Sequence, residues 1–320
     1  MIDPLPQPPA LIRSLTQPIA DALSLKTLPL HGHEVLLSFT AYYLMENFLA
    51  PRFSAQFFAT TYTSLPPRTK INWNIRVVST IQAIFICGLA FWTILADKER
   101  ENMNLEERVW GYTGALGMTQ AFAAGYFIWD VKISATNVGI LGWGSLAHAV
   151  SALLITSLGF LWRHMELTTA SYKRPFANYY GVAFVLYAMS TPFLNLHWYL
   201  DKCNMTGGNA QLVNGVALLA SFFGSRLVWG TYQSVMVYQD ILAILQQNVG
   251  EGLGSSTRTG DSGVMRFSDG KVLPLWLAYT YLGSNTLLTV LNFYWFGRMV
   301  ETVTKRFRSP HNKKAKLASE

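Results

Sequence analysis

Long apolar runs constrain this chain more than any other feature. Residues 75–96, 138–162 and 273–300 each reach the length of a membrane crossing. A hydrocarbon layer about 30 Å thick takes about 20 residues of helix. A few polar residues sit inside these runs. In lipid each of them needs a partner or an aqueous cavity, so the function has to be read from them. Composition agrees: 51% of the residues are hydrophobic and 13% charged, against about 25% charged in soluble domains. The chain is expected to be an all-α, polytopic membrane protein.

Seven spans are expected. Residues 1–31 form a Pro-containing, mildly amphipathic leader suited to a membrane surface. They lack the charged start, apolar core and cleavage site of a signal peptide. The first span, 34–50, carries Glu34 and Glu46, so it must be short, tilted or shielded. A loop over 51–73 holds Arg52, Arg68, Lys70 and the breaker Pro66-Pro67. The second span is 75–96, followed by a charged loop over 97–108. The third, 111–131, is rich in Gly and Ala, which permits close helix packing. A turn over 132–137 leads to the fourth, 138–162. In the fifth, 176–194, Pro192 removes a backbone donor and predicts a kink or break. After a loop over 195–208, the sixth, 211–245, exceeds one crossing and should project beyond the bilayer. A Gly- and Ser-rich linker over 250–270 precedes the last, 273–300. That linker lacks both the Gly-Lys-Ser/Thr ending and the preceding strand of a phosphate loop.

The formal net charge is +7, and seven of the 25 basic residues lie from Arg298 onward. A basic tail behind a membrane helix belongs in the cytosol, near anionic headgroups. Lys and Arg in the other loops pull the opposite way: five in 51–74, 131–137 and 195–208, against nine in 97–110, 162–175 and 248–272. With a cytosolic tail, the single glycosylation acceptor, Asn204-Met205-Thr206, faces the cytosol and stays unmodified. No folded basic module surrounds the tail, so no nucleic-acid partner is expected. Cys87 and Cys203 indicate neither a disulfide framework nor a metal knuckle, and no metal is expected.

Four blocks carry a family resemblance. The run from Leu65 to Ser79, with Pro66-Pro67 and Asn72-Trp73-Asn74-Ile75-Arg76, resembles the start of the TLC domain. That is the membrane domain of ceramide synthases, translocation-associated TRAM proteins and several lipid-homeostasis proteins. Gly125-Tyr126-Phe127-Ile128-Trp129-Asp130, Ser190-Thr191-Pro192-Phe193-Leu194-Asn195-Leu196-His197-Trp198-Tyr199 and Leu291-Asn292-Phe293-Tyr294-Trp295-Phe296 resemble later blocks in the same order. The nearest likeness is to the small TLC-domain transmembrane proteins. The resemblance implies a six-helix bundle with a lipid-accommodating interior, usually in the endoplasmic reticulum. It divides the chain into a leader with a first transmembrane helix (1–65), a TLC domain (66–308) and a basic cytosolic tail (309–320). In ceramide synthases an adjacent His pair and aspartates transfer an acyl group from acyl-CoA. Here that pair maps onto Ala147-His148, Gln82 replaces a further His, and Ala188 replaces an acid; Asp130 is retained. These losses put acyl transfer in doubt.

The intramembrane polar residues each have two readings. His148 lies about ten residues into its span, roughly 15 Å deep. One interhelical hydrogen bond would satisfy it. Alternatively it is a base or acyl acceptor facing a cavity, with Asp130 as its orienting acid. Asp130 could equally be a solvated helix cap. Ser151, three residues after His148, is expected on the same helical face. Gln82 suits hydrogen bonding across a bundle. An unpaired Arg226 at mid-bilayer costs about 2.5–3.5 kcal/mol even on a lenient scale. It should therefore meet an acid, a lipid phosphate or water, unless it snorkels to an interface. Asn285 and Asn292, seven apart, share one face; with Asn195 and Asn214 they suit structural hydrogen bonding. The expected function is lipid binding, sensing or homeostasis in a cavity lined by Gln82, Asp130, His148, Ser151, Arg226, Asn285 and Asn292. The alternatives are an acyl-CoA-dependent acyltransferase using His148 and Asp130, and a membrane cargo or assembly protein. Membrane lipids are the expected partners. No cofactor is expected, acyl-CoA being a co-substrate only of an enzyme, and an oligomer of identical chains is compatible with this reading.

Overall fold

The computed structural model describes residues 3–23, 27–158, 176–250 and 273–317, with side chains described as far as Glu301 in the last helix. The described residues are helical throughout, without a strand. In chain order the α-helices are α1 (Ala10–Leu23), α2 (Leu28–Leu44), α3 (Ala50–Phe57), α4 (Ala59–Ser64), α5 (Pro67–Ala96), α6 (Lys98–Glu101), α7 (Leu105–Trp110) and α8 (Gly114–Thr136). Then come α9 (Val138–Leu141), α10 (Trp143–Leu158), α11 (Asn178–Val185), α12 (Thr191–Lys202), α13 (Asn209–Phe222), α14 (Trp229–Gly250) and α15 (Leu275–Leu317). A 3₁₀ turn, Leu186–Ser190, joins α11 to α12, and π-helical turns, Met45–Leu49 and Phe223–Val228, join α2 to α3 and α13 to α14.

α8 is the hub, and its small residues explain why. A methyl group at Gly125 would stand 2.5 Å from the Val35 carbonyl oxygen and 2.6 Å from Ser38 Cβ. α2 therefore lies against α8 at a separation that no side chain would permit, with Ala121 and Ala124 fully covered beside it. Small residues are the usual device for close helix approach in lipid, where no hydrophobic force drives helices together. α5 and α8 form an antiparallel hairpin. Thr93 and Thr119 share a hydroxyl hydrogen bond at 2.9 Å, and Thr113 Oγ1 donates to Asp97 Oδ2 at 2.5 Å across the connection. An apolar cluster of Val109, Trp110, Phe176, Tyr180, Val237 and Ile241 closes this end of the bundle. Arg108, clamped on Asp240 at 2.5 and 2.7 Å, lies beside it.

Large apolar side chains cover much of the outside. Ile84, Leu95, Leu154, Val213, Leu287 and Val290 are all exposed, while Glu34, Gln82, Asn195 and Asn292 are buried. This inversion of the soluble pattern suits a membrane protein. Two helical stretches among the described residues, Pro67–Ala96 and Asn209–Gln246, the second including the π-helical turn, are long and apolar enough to cross a membrane. Among the described residues the other expected spans do not combine that length and hydropathy, although α15 runs without a break through 275–300. Gly142, at φ 83°, separates α9 from α10, and the 3₁₀ turn divides 176–194. Gly114–Thr136 is diluted by glycine, Gln120 and Asp130.

Several expected boundaries move. The loop over 51–73 is largely helix. Pro51 and Pro67 each sit in the first turn of a helix, where proline needs no backbone donor. α5 accordingly begins eight residues before the expected span. The loop over 97–108 contains α6 and α7, the latter with a reciprocal Asn104–Glu107 capping box. The break expected at Pro192 is present: a 3₁₀ turn, Leu186–Ser190, stands just before it, and Pro192 lies in the first turn of α12. Glu34 and Glu46 are shielded. Glu34 pairs with His31 at 2.7 Å, and Glu46 accepts from Trp129 Nε1 at 3.1 Å with Lys132 at 3.7 Å. The linker over 250–270 and the loop over 162–175 lie outside the described residues apart from Gly250, which ends α14. Cys87 and Cys203 are free.

Candidate functional site

α5, α8, α10, α11, α15, the 3₁₀ turn Leu186–Ser190 and the π-helical turn Phe223–Val228 line a cavity of about 420 Å³. It falls within the range of about 300–1,000 Å³ usual for small-molecule sites. Gln82, Asp130, His148, Arg226, Asn285 and Asn292 all line it, although they come from five different segments of the chain.

The cavity is chemically polarised. At the end where α5 finishes and α8 begins, the walls are mainly Ile86, Ala123, Ile155, Phe176, Val182 and Val185. Polar side chains there are neutral: Gln120, whose amide donates to the Thr156 carbonyl at 3.0 Å, together with Thr119 and Ser284. Asp130, His148 and Arg226, the ionisable lining groups other than tyrosines, lie in the opposite half. Asp130 is near the end of α8 and His148 in the second turn of α10.

Arg226 sits in the π-helical turn Phe223–Val228. Such a turn adds a residue to one helical turn and is common at functional sites. Its Nε donates to Ser190 Oγ at 3.2 Å and its Nη1 to Asn292 Oδ1 at 3.3 Å. Its guanidinium carbon lies 5.0 Å from the Phe222 ring centre and 5.7 Å from that of Tyr187. No carboxylate pairs with it among the described residues. Asn285 is 9% exposed, and its Oδ1 is buried without a hydrogen bond. Gln82 is occupied differently: its Oε1 accepts from Tyr42 OH on α2. Asp130 accepts a long bond, 3.5 Å, from Ser134. No hydrogen bond joins Asp130 to His148 among the described residues. α8 continues to Thr136, so Asp130 is not a terminal cap.

Ser151 is exposed and absent from the lining. His148, Ala152, Ile155 and Thr156 define the wall from α10. At about 100° per residue their mean direction lies roughly 85° from Ser151. The expected shared face is therefore centred on the far side of His148. Tyr126, Tyr187, Gln120 and Thr191 line the cavity without having been expected as site residues, although Tyr126 and Thr191 lie in the family blocks. Gln120 stood inside an apolar span and carried the same signal as Gln82. The tyrosines carried none, being common at membrane interfaces.

The TLC-domain profile matches residues 72–301. The chain belongs to the TLC-domain family. It is 30% identical to an uncharacterized TLC domain-containing protein of Schizosaccharomyces pombe over 94% of this chain and 89% of that one. It is 25% identical to Topoisomerase I damage affected protein 4 of Saccharomyces cerevisiae over 88% of this chain and 86% of that one. It is also 27% identical to TLC domain-containing protein 4 of Homo sapiens, over 60% and 67%.

The four blocks that resemble this family make contacts at its seams. Arg76 Nη1 donates to Asn195 Oδ1 at 2.9 Å, and Tyr199 OH donates to the Trp73 carbonyl at 3.0 Å, tying the first block to the third. Gly125 seats α2, and Asn292 holds Arg226.

Proposed function

We propose that this TLC-domain protein binds a membrane lipid in its central cavity and serves lipid sensing or homeostasis, in the endoplasmic reticulum. One observation carries the reading. Polar residues from separate apolar segments converge on a single cavity whose remaining walls are apolar. Such a cavity suits an amphiphile with its head among Asp130, His148 and Arg226 and its chain toward Ile86, Ile155 and Val182. Residues 66–308 are assigned to the TLC domain, six of seven membrane crossings to its bundle, and 309–320 to a cytosolic basic tail. The first crossing then brings α2 onto α8, and Tyr42 reaches Gln82 from it.

Acyl transfer is the second reading. It is favoured by Asp130 and His148 lining the same cavity and opposed by their lack of a direct hydrogen bond. Acyl-CoA would be the co-substrate.

The test is mass spectrometry of lipids that co-purify with the protein in mild detergent, against a mock preparation from the same membranes. A lipid retained at near-stoichiometric amounts is the expected result. No lipid enriched over the mock would sink the binding reading. Turnover of acyl-CoA that is lost in His148→Ala would replace it with the enzymatic one.

A further inference from the structure

Resting on the lipid-binding reading, we infer that the cavity selects an amphiphile with an anionic headgroup, a carboxylate or a phosphate, and that Arg226 is the residue that receives it. Arg226 lines the cavity as a cation whose observed hydrogen bonds go to neutral acceptors, Ser190 and Asn292. Those two bonds engage Nε and Nη1 and leave Nη2 without a bond in the described structure. A guanidinium has five N–H donors in a planar fork that matches two oxygens of a carboxylate or phosphate. Buried charges are ordinarily paired, and among the described residues nothing of opposite charge pairs with this one.

Geometry also fixes the direction of entry. Tyr187 and Phe222 brace the guanidinium on its ring side, and the apolar half of the cavity begins beyond Gln82 along α5, at Ala83 and Ile86. A headgroup on Arg226 therefore sends its chain toward Ile86, Val182 and Phe176. Asp130, in the same half, disfavours a second negative charge near the end of α8. A headgroup with a single anionic group fits better than a polyanionic one.

The experiment measures binding to full-length protein in detergent, with four oleyl-chain probes. Oleate supplies a carboxylate and oleoyl lysophosphatidate a phosphate monoester; oleyl alcohol is neutral and oleylamine cationic. Wild type is expected to bind at least one anionic probe about tenfold or more tightly than the alcohol and the amine, the scale of a charge-assisted hydrogen bond. The better of oleate and lysophosphatidate identifies the headgroup. Arg226→Gln should erase the preference for the anionic probes over the alcohol, and Arg226→Lys should keep part of it. Equal binding of all four probes to wild type overturns the anion proposal and leaves the lipid-binding reading standing. Binding of none of them sinks that reading itself. If Arg226→Gln does not fold, the wild-type preference and Arg226→Lys decide. An anionic preference unchanged in Arg226→Lys and equal at 50 and 500 mM salt would remove Arg226 from the role.

Discussion

Arg76 and Arg226 both lie partly buried among the helices, and their surroundings differ. Arg76, at the seam of α5 and α12, donates to Asn195 at 2.9 Å and to Asn72 at 3.2 Å, and lies 4.7 Å from the Trp198 ring centre. Asn195 in turn is saturated: its amide reaches Ser79 Oγ at 2.8 Å, Thr80 Oγ1 at 2.9 Å and the Arg76 carbonyl at 3.3 Å. Arg226 has two bonds, both above 3 Å, and faces an open cavity beside an unbonded Asn285 Oδ1. The seam spends its polar groups on holding helices together. The cavity keeps hydrogen-bonding capacity in reserve. In lipid an interhelical hydrogen bond holds helices together, whereas polarity left unpaired inside the membrane marks a binding site.

The contrast breaks first at Asn195. Replacing it with leucine removes the acceptor of Arg76 Nη1 and the donor to two hydroxyls, and should destabilise the protein by about 3 kcal/mol. Thermal unfolding in detergent measures this. An unfolding temperature equal to wild type would mean that the seam is not structural. Gly125→Ala comes next. Its new methyl group would press on the Val35 carbonyl and Ser38, at a cost of about 2 kcal/mol in the same assay. A neutral outcome would show that α2 can shift off α8. The two arginines then separate directly. Arg76→Gln should lose about 2 kcal/mol, Arg226→Gln less than about 1 kcal/mol, because relief of a buried charge offsets two long hydrogen bonds. Lipid retention should show the reverse order. Equal stability losses would erase the distinction between seam and cavity.

Helical class and membrane character were legible because lipid imposes them on composition and run length. Arg226, Gln82 and Asn292 were legible for a related reason: lipid tolerates such groups only where something receives them. Their convergence on one cavity was expected from intramembrane polarity together with the family resemblance, since nothing local to a span reveals which way it faces. The helices across 51–66 were hidden by charges and prolines that read as a loop, although a proline in a first turn is compatible with helix. The break at Gly142 escaped because its neighbours, Leu141 and Trp143, are as apolar as the run on either side. The shielding of Glu34 and Glu46 depends on His31, Trp129 and Lys132, two of which lie more than eighty residues away.

Ser151 gives the smallest expected effect and tests the phase of α10. It is exposed and lies off the wall that His148, Ala152, Ile155 and Thr156 present to the cavity. Ser151→Ala should change stability by less than about 0.5 kcal/mol, as surface substitutions usually do, and leave lipid retention at the wild-type level. Ala152→Leu, one residue on, fills part of the cavity and should reduce retention with little loss of stability. The pair is informative because sequence spacing alone ranks them the other way, placing Ser151 in the site as a polar neighbour of His148. Reduced retention in Ser151→Ala with normal retention in Ala152→Leu would mean that α10 is rotated. His148 would then face a different surface, and the polar half of the cavity would keep only Asp130 and Arg226 as its ionisable groups other than tyrosines.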